Sequence, residues 1–247
     1  MADSRTLRKV ETGGELPSFR HFDMVVAGFV VVLLCSNLIG PGKTVRLELF
    51  GWPLVFGAGN LFFPISYIFD DVLTEVYGYA HSRRAVWAGF FALIFAALMS
   101  TAIIYLPADP NEPFNVQLQP AIALVFGNTP RIFLASVIAF WAGDLANSYV
   151  LAKMKIITDG KWLWTRTIGS TVVGEGVDSL IFYPVAFAGI WTSATLVSVI
   201  LTNWLFKVMV EVLFTPLTYK VINALKRAEG IDLYDSNTDF NPFTLKA

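Results

Sequence analysis

Residues 85–106 read AVWAGFFALIFAALMSTAIIYL, twenty-two residues without an Asp, Glu, Lys or Arg, bounded by Arg83-Arg84 and by Pro107. At about 1.5 Å per residue, a helix of this length crosses the roughly 30 Å hydrocarbon core of a bilayer. Five further apolar stretches extend the pattern: Phe22–Ile39, Pro53–Leu73, Ile132–Ala152, Ile168–Ile190 and Ala194–Val221. The second is interrupted at Gly57-Ala58-Gly59-Asn60, and Pro120–Phe126 is apolar but too short to cross. The expected fold is therefore all-α: an integral membrane protein built as a six-transmembrane-helix bundle over residues 22–224. Residues 1–21 and 225–247 are polar and are expected to be tails with little order.

Composition agrees. Of 247 residues 55% are hydrophobic and 15% charged, against about 25% charged in soluble domains, and the mean hydropathy is +0.59. So little charge cannot cover a soluble globule, which excludes a cytosolic enzyme, a disordered chain and a disulfide scaffold. Cys35 is the single cysteine, and His21 and His81 are the only histidines. No metal or other cofactor is expected. The net charge of −1 offers no basic field for nucleic acid. The expected surroundings are a lipid bilayer and a small-molecule ligand, with a homodimer left open.

Six spans put both termini on one side, together with the Tyr77–Arg84 and Lys153–Thr167 loops. That side holds fourteen of the eighteen Lys and Arg, while Lys43, Arg46 and Arg131 fall on the other and Lys207 lies inside a span. By the positive-inside rule the termini are cytoplasmic.

Ionisable groups at membrane depth cost several kcal/mol unless paired or wetted, yet this chain has many. Asn60, Tyr67, Asp71 and Glu75 follow at intervals of 7, 4 and 4, one helical face. Asp144 and Asn147 share a face of the fourth span, Glu175 and Asp178 of the fifth, and Asn203, Lys207 and Glu211 of the sixth. Asn37 lies in the first. Some of this could be end effects: Glu75 could be solvated at its span's end, and Lys207 could neutralise Glu211 one turn on. Six acids against one base still require water, protons or a ligand in the bundle. Gly143-Asp144-x-x-Asn147 and Gly174-Glu175-x-x-Asp178 repeat one pattern, as transporters with internal repeats do. Enzyme motifs such as G-x-S-x-G, H-E-x-x-H and the Walker loop are absent. An intramembrane hydrolase would have to rest on Asp144 and Asp178 alone.

The runs FFPISYIFDDVLTEVYGY, FGNTPRIFLASVIAFWAG and LWTRTIGSTVVGEGVDSLIFYPVAFAG, in this order and spacing, resemble the queuosine precursor transporter family, also called the vitamin uptake transporter family. The resemblance covers roughly residues 25–225. It implies a six-helix inner-membrane protein that imports 7-deazaguanine bases: the nitrile or aminomethyl form, or queuine. Such proteins look distantly like the substrate-binding subunits of energy-coupling-factor importers but act alone. An ATPase-dependent subunit is the alternative. Some members carry amide-x-x-Asp on both the fourth and fifth spans. Here the fourth has acid and amide exchanged and the fifth reads Glu175-x-x-Asp178, which bears on which precursor is preferred.

Such a ligand suits these residues. A guanine-like edge offers two parallel N–H donors to a carboxylate, and a flat ring stacks on aromatics such as Phe63, Tyr67, Phe140, Trp141 and Phe182. Asp178 is expected to be the main ligand for the base edge. Glu175, Asp144 and Asn147 would face it, with Asp71, Tyr67, Asn60 and Asn37 on the other walls. Lys207, Glu211 and Glu75 would balance charge or carry a coupling proton.

Overall fold

The computed structural model describes residues 7–12, 18–38, 44–49, 52–127 and 130–245. Among them are seven α-helices: α1 (Phe22–Leu38), α2 (Phe63–Tyr77), α3 (Tyr79–Tyr105), α4 (Pro113–Phe126), α5 (Pro130–Ile157), α6 (Leu163–Phe187) and α7 (Ser193–Glu229). Four short strands accompany them: β1 (Arg8–Glu11), β2 (Thr44–Leu49), β3 (Trp52–Gly57) and β4 (Ile231–Tyr234). The chain is thus predominantly helical, and α3, α5 and α7 are long and apolar enough to cross a membrane. Their outer faces carry Phe91, Phe95, Leu98, Leu201, Leu205 and Leu213 in the open, an apolar surface that lipid, not water, solvates.

Two expectations need correction. The second apolar stretch is not helical from Pro53. Residues 52–57 form β3, antiparallel to β2, and a 3₁₀ segment, Ala58–Phe62, leads into α2. Trp, Val and Phe favour an extended chain there, and two glycines resist continuing a helix. Pro64, at the start of α2, suits a first turn. The fifteen residues of α2 span only about 22 Å. Pro120–Phe126, read as too short to cross, is the second half of a helix, Pro113–Phe126, with none of its residues buried.

The second correction concerns the tails. Residues 1–6, 13–17 and 246–247 lie outside the described residues, but the rest of both tails is ordered. Strand β1 pairs in parallel with β4, Arg8 opposite Ile231 through Glu11 opposite Tyr234. Beyond β4, both Asp235 carboxylate oxygens accept from the Tyr79 N–H at 3.1 Å, placing negative charge at the N-terminus of α3. Burial raises the Asp235 pKa, opposed by the Thr238 hydroxyl and the Tyr79 N–H. Arg83 then donates to the carbonyls of Asp239 and Asn241 at 2.6 and 2.8 Å, and the Trp87 indole to that of Pro242 at 2.8 Å. Four-residue strands and a strap of main-chain acceptors carry no periodic signal, so composition alone reads them as loose.

Six helices meet at the end of the bundle that carries these tails. The N–H groups of Arg20 and His21, leading into α1, donate to Glu229 at the end of α7, both at 2.8 Å. The Tyr77 hydroxyl at the end of α2 donates to the same carboxylate at 3.2 Å. The start of α3 and the junction of α5 with α6 lie there too.

Candidate functional site

A cavity of about 550 Å³ lies between α1, α2, α3, α5, α6 and α7, within the range of small-molecule sites. It extends to Leu38, Phe126 and Pro130, at the end of the bundle away from the tails. Its polar lining includes Asn37, Tyr67, Asp71, Asp144, Asn147, Glu175, Asp178 and Lys207, so eight of the expected site residues converge on one space. Phe29, Phe140, Phe182 and Tyr183 supply aromatic walls. Asn60 lies in the 3₁₀ segment, off the α2 face assigned to it. Its side chain and that of Phe63 lie outside the described residues. Trp141 does not line the cavity; it packs between Trp87 and Phe243, with ring centroids 5.5 and 5.6 Å away.

The repeated glycine pattern explains how the two motifs come together. A Cβ on Gly143 would stand 3.0 Å from the Asp178 Cβ and 3.1 Å from the Gly174 carbonyl. One on Gly174 would stand 2.7 Å from the Asn147 Cβ and 2.9 Å from the Gly143 carbonyl. Each glycine receives the fourth residue after the other, so α5 and α6 cross in a near-symmetric embrace with Asp144-x-x-Asn147 and Glu175-x-x-Asp178 on the same cavity. Small residues permit such approach inside a membrane. Gly174→Ala should therefore push the helices apart and cost about 1–3 kcal/mol, as overpacking does. A lowered melting temperature checks this; an unchanged one shows that the crossing relaxes.

Lys207 lies between two carboxylates, 2.5 Å from Glu175 and 2.7 Å from Asp178. It reaches across to α6 instead of pairing along its own helix with Glu211. Tyr67 is buried on the same cavity wall as Asp71. Asp70 and Asp144 both line the cavity, and Asp71, on its wall, is buried. Asn147 is buried, and among the described residues no donor reaches its Oδ1. Asn37 accepts from the Ser136 hydroxyl at 3.0 Å, tying α1 to α5.

Glu75 does not serve the cavity, nor is it solvated. It is fully buried at the tail end. Arg166 grips both its oxygens at 2.8 Å, Lys226 approaches to 2.5 Å and Lys155 to 3.2 Å. Lys155 also donates to the Glu75 carbonyl at 2.8 Å. Asp232, on β4, completes the cluster at 2.8 and 2.6 Å from the two lysines. Burial pushes the Asp232 pKa up, but the Lys155 and Lys226 ammoniums outweigh it and lower the value. Its stabilising contribution is therefore present above its unfolded pKa and lost as the pH falls through the depressed folded one.

Sequence reasoning missed Asp70, Phe29 and Tyr183 as lining residues, while Asn203, placed with Lys207 on the polar face of the sixth span but not assigned to the site, lines the cavity too. Asp70 had a signal: it follows Tyr67 by three and so shares its helical face. The two lining aromatics stand among many and had none.

Residues 57–221 match the family model described as "Putative vitamin uptake transporter". A curated relative named "Probable queuosine precursor transporter", from Bacillus subtilis (strain 168), is 34% identical over 194 residues, 78% of this chain and 80% of the relative. No solved structure gives a match. The chain belongs to the vitamin uptake transporter family, the queuosine precursor transporters that its three sequence runs resemble.

Proposed function

We propose that this chain imports 7-deazaguanine precursors of queuosine across the inner membrane, as a stand-alone secondary transporter. The substrate class comes from the relative's name and the resemblance. The observation that carries it to this chain is the α5–α6 crossing, which turns an acid-and-amide motif and a two-acid motif onto one aromatic-walled cavity. A carboxylate there takes the two parallel N–H groups of a guanine-like edge. The Asn147 oxygen, without a donor among the described residues, takes a further one. Phe140 and Phe182 offer faces for stacking. Five carboxyl groups and one ammonium line the cavity among the described residues, which favours the cationic aminomethyl form.

In this reading α1, α2, α3, α5, α6 and α7 cross the membrane as in the substrate-binding subunits of energy-coupling-factor importers, with α4 and the β2–β3 hairpin outside. Both termini are cytoplasmic. Cysteines at Asn111 and Lys161, both exposed, should react with an impermeant reagent from outside and only after permeabilisation, respectively. The reverse pattern would invert the topology.

Expression in a host lacking its own precursor synthesis and transporter should restore queuosine in tRNA at limiting external precursor. An intact, inserted protein that rescues with none of the three bases would refute the substrate. Rescue only with a co-expressed ATPase module would refute the stand-alone mechanism.

A further inference from the structure

Two carboxylates share one ammonium on the cavity wall. Lys207 Nζ donates to Glu175 Oε2 at 2.5 Å and to Asp178 Oδ2 at 2.7 Å. Among the described residues Lys207 is the one basic side chain that lines the cavity. Its side chain is 12% exposed, against 18% for Glu175 and 25% for Asp178, so the carboxylates face an entering ligand more openly than the lysine does. Lys207 bonds to one oxygen of each, and a carboxylate has two acceptor oxygens, so each can take a ligand's N–H and keep the lysine. One ammonium balances one carboxylate and leaves the charge of the other to whatever enters. Docking of α7 on α6 does not depend on this contact alone. The Trp204 indole on α7 donates to the Val172 carbonyl on α6 at 2.9 Å, and a Cβ on Gly176 would lie at an ordinary 3.6 Å from that indole. Nor does Lys207 neutralise its own helix: Glu211, one turn on, is buried and does not line the cavity. We propose that Lys207 is a specificity-determining residue: it lowers the negative charge that Glu175 and Asp178 present, and so sets how far the cavity prefers a cationic base to a neutral one.

Electrostatics gives the direction. With the ammonium in place, a neutral base finds acceptors for its N–H edge and has no second charge to cancel. A base with an ammonium of its own is drawn by the carboxylates and repelled by Lys207. The lysine therefore admits the neutral nitrile base alongside the cationic aminomethyl base. Two ammoniums on one carboxylate stand roughly 5–6 Å apart, and at an effective dielectric constant of about 20 their repulsion changes affinity by about tenfold to a hundredfold. Lysine suits the task as a compact point charge on a flexible stem. This rests on the substrate reading above, and the test separates the two.

Binding of the nitrile and the aminomethyl base to the full chain in detergent is measured by calorimetry at neutral pH, for the wild type, Lys207→Met and Lys207→Arg. Methionine keeps much of the stem's bulk and loses the charge; arginine keeps the charge. Lys207→Met should raise the ratio of aminomethyl to nitrile affinity by about tenfold to a hundredfold, and Lys207→Arg should leave it near the wild-type value. A residue that only pins α7 to α6 would weaken both bases by the same factor. An unchanged ratio in Lys207→Met, an equal shift in Lys207→Arg, or a folded Lys207→Met that binds neither base while the wild type binds both would each overturn the assignment. Lys207→Gln repeats the comparison if Lys207→Met does not fold, and failure of both to fold makes Lys207 a structural pin. Wild-type protein that binds neither base sinks the substrate reading instead. The charge role is then read from thermal unfolding in methylammonium chloride against tetramethylammonium chloride, one cation with Lys207's own N–H donors and one without. Methylammonium should raise the melting temperature of Lys207→Met more than tetramethylammonium does, and more than it raises that of the wild type. Equal responses of the two chains overturn the proposal whatever the substrate.

Discussion

Glu75→Gln should destabilise the protein by about 3–5 kcal/mol, the usual cost of removing one charge from a buried, hydrogen-bonded ion cluster. Arg166, Lys155 and Lys226 are 2%, 2% and 8% exposed at their side chains, so water cannot replace what they lose. Only Asp232 would remain to oppose three cations. Glu75 also ties α2 to α5, α6 and α7 at once, and the loss should loosen the whole tail end. Thermal unfolding in detergent, followed by size exclusion, would record it. Lys9→Ala is the control. Its pairing with Asp159 at 3.1 Å is 52% and 70% exposed, and a surface pair contributes at most about 1 kcal/mol. If Glu75→Gln melts with the wild type, the cluster is dispensable and the closed end must be held by apolar packing.

The second large effect is on transport. Asp178→Asn keeps the side chain's shape but offers a donor where the ligand's N–H needs an acceptor. A mismatched buried hydrogen bond costs roughly 1–3 kcal/mol, about tenfold to more than a hundredfold in affinity. Uptake at low external precursor should fall by that factor. Stability should hold, because Lys207 retains Glu175 at 2.5 Å. Asp109→Asn, in the exposed turn before α4, should be silent. Normal uptake by Asp178→Asn, or failure through unfolding, would make Asp178 a structural residue whose work is to hold Lys207.

The apolar stretches, read from hydropathy alone, locate α1, α3, α5, α6 and α7 because a helix in lipid must be apolar over most of its length. The same local rules place Tyr67 with Asp71, Asp144 with Asn147 and Glu175 with Asp178, each pair on one face. The family follows from runs of residues that are themselves contiguous. Local rules failed where the chain departs from one long helix, at residues 52–62, because a run of apolar residues there suits a strand as well as a helix.

Partners are a different matter. Glu75 meets Lys155, Arg166 and Lys226, which are 80, 91 and 151 residues away. Those distances carry no periodic trace, so a residue equally able to sit in water at a helix end turned out to be the buried centre of the closed end. Lys207 had Glu211 one turn away and took Glu175 and Asp178 from another helix. Among the described residues, no hydrogen-bond partner reaches the buried Glu211 carboxyl. The sequence alone determined which residues are polar, how deep they lie and which share a face, because those properties depend on neighbours three or four positions apart. Only the tertiary structure decided which charges neutralise one another, because Coulomb and hydrogen-bond energies depend on contact distance, and contact between helices is set by how they cross.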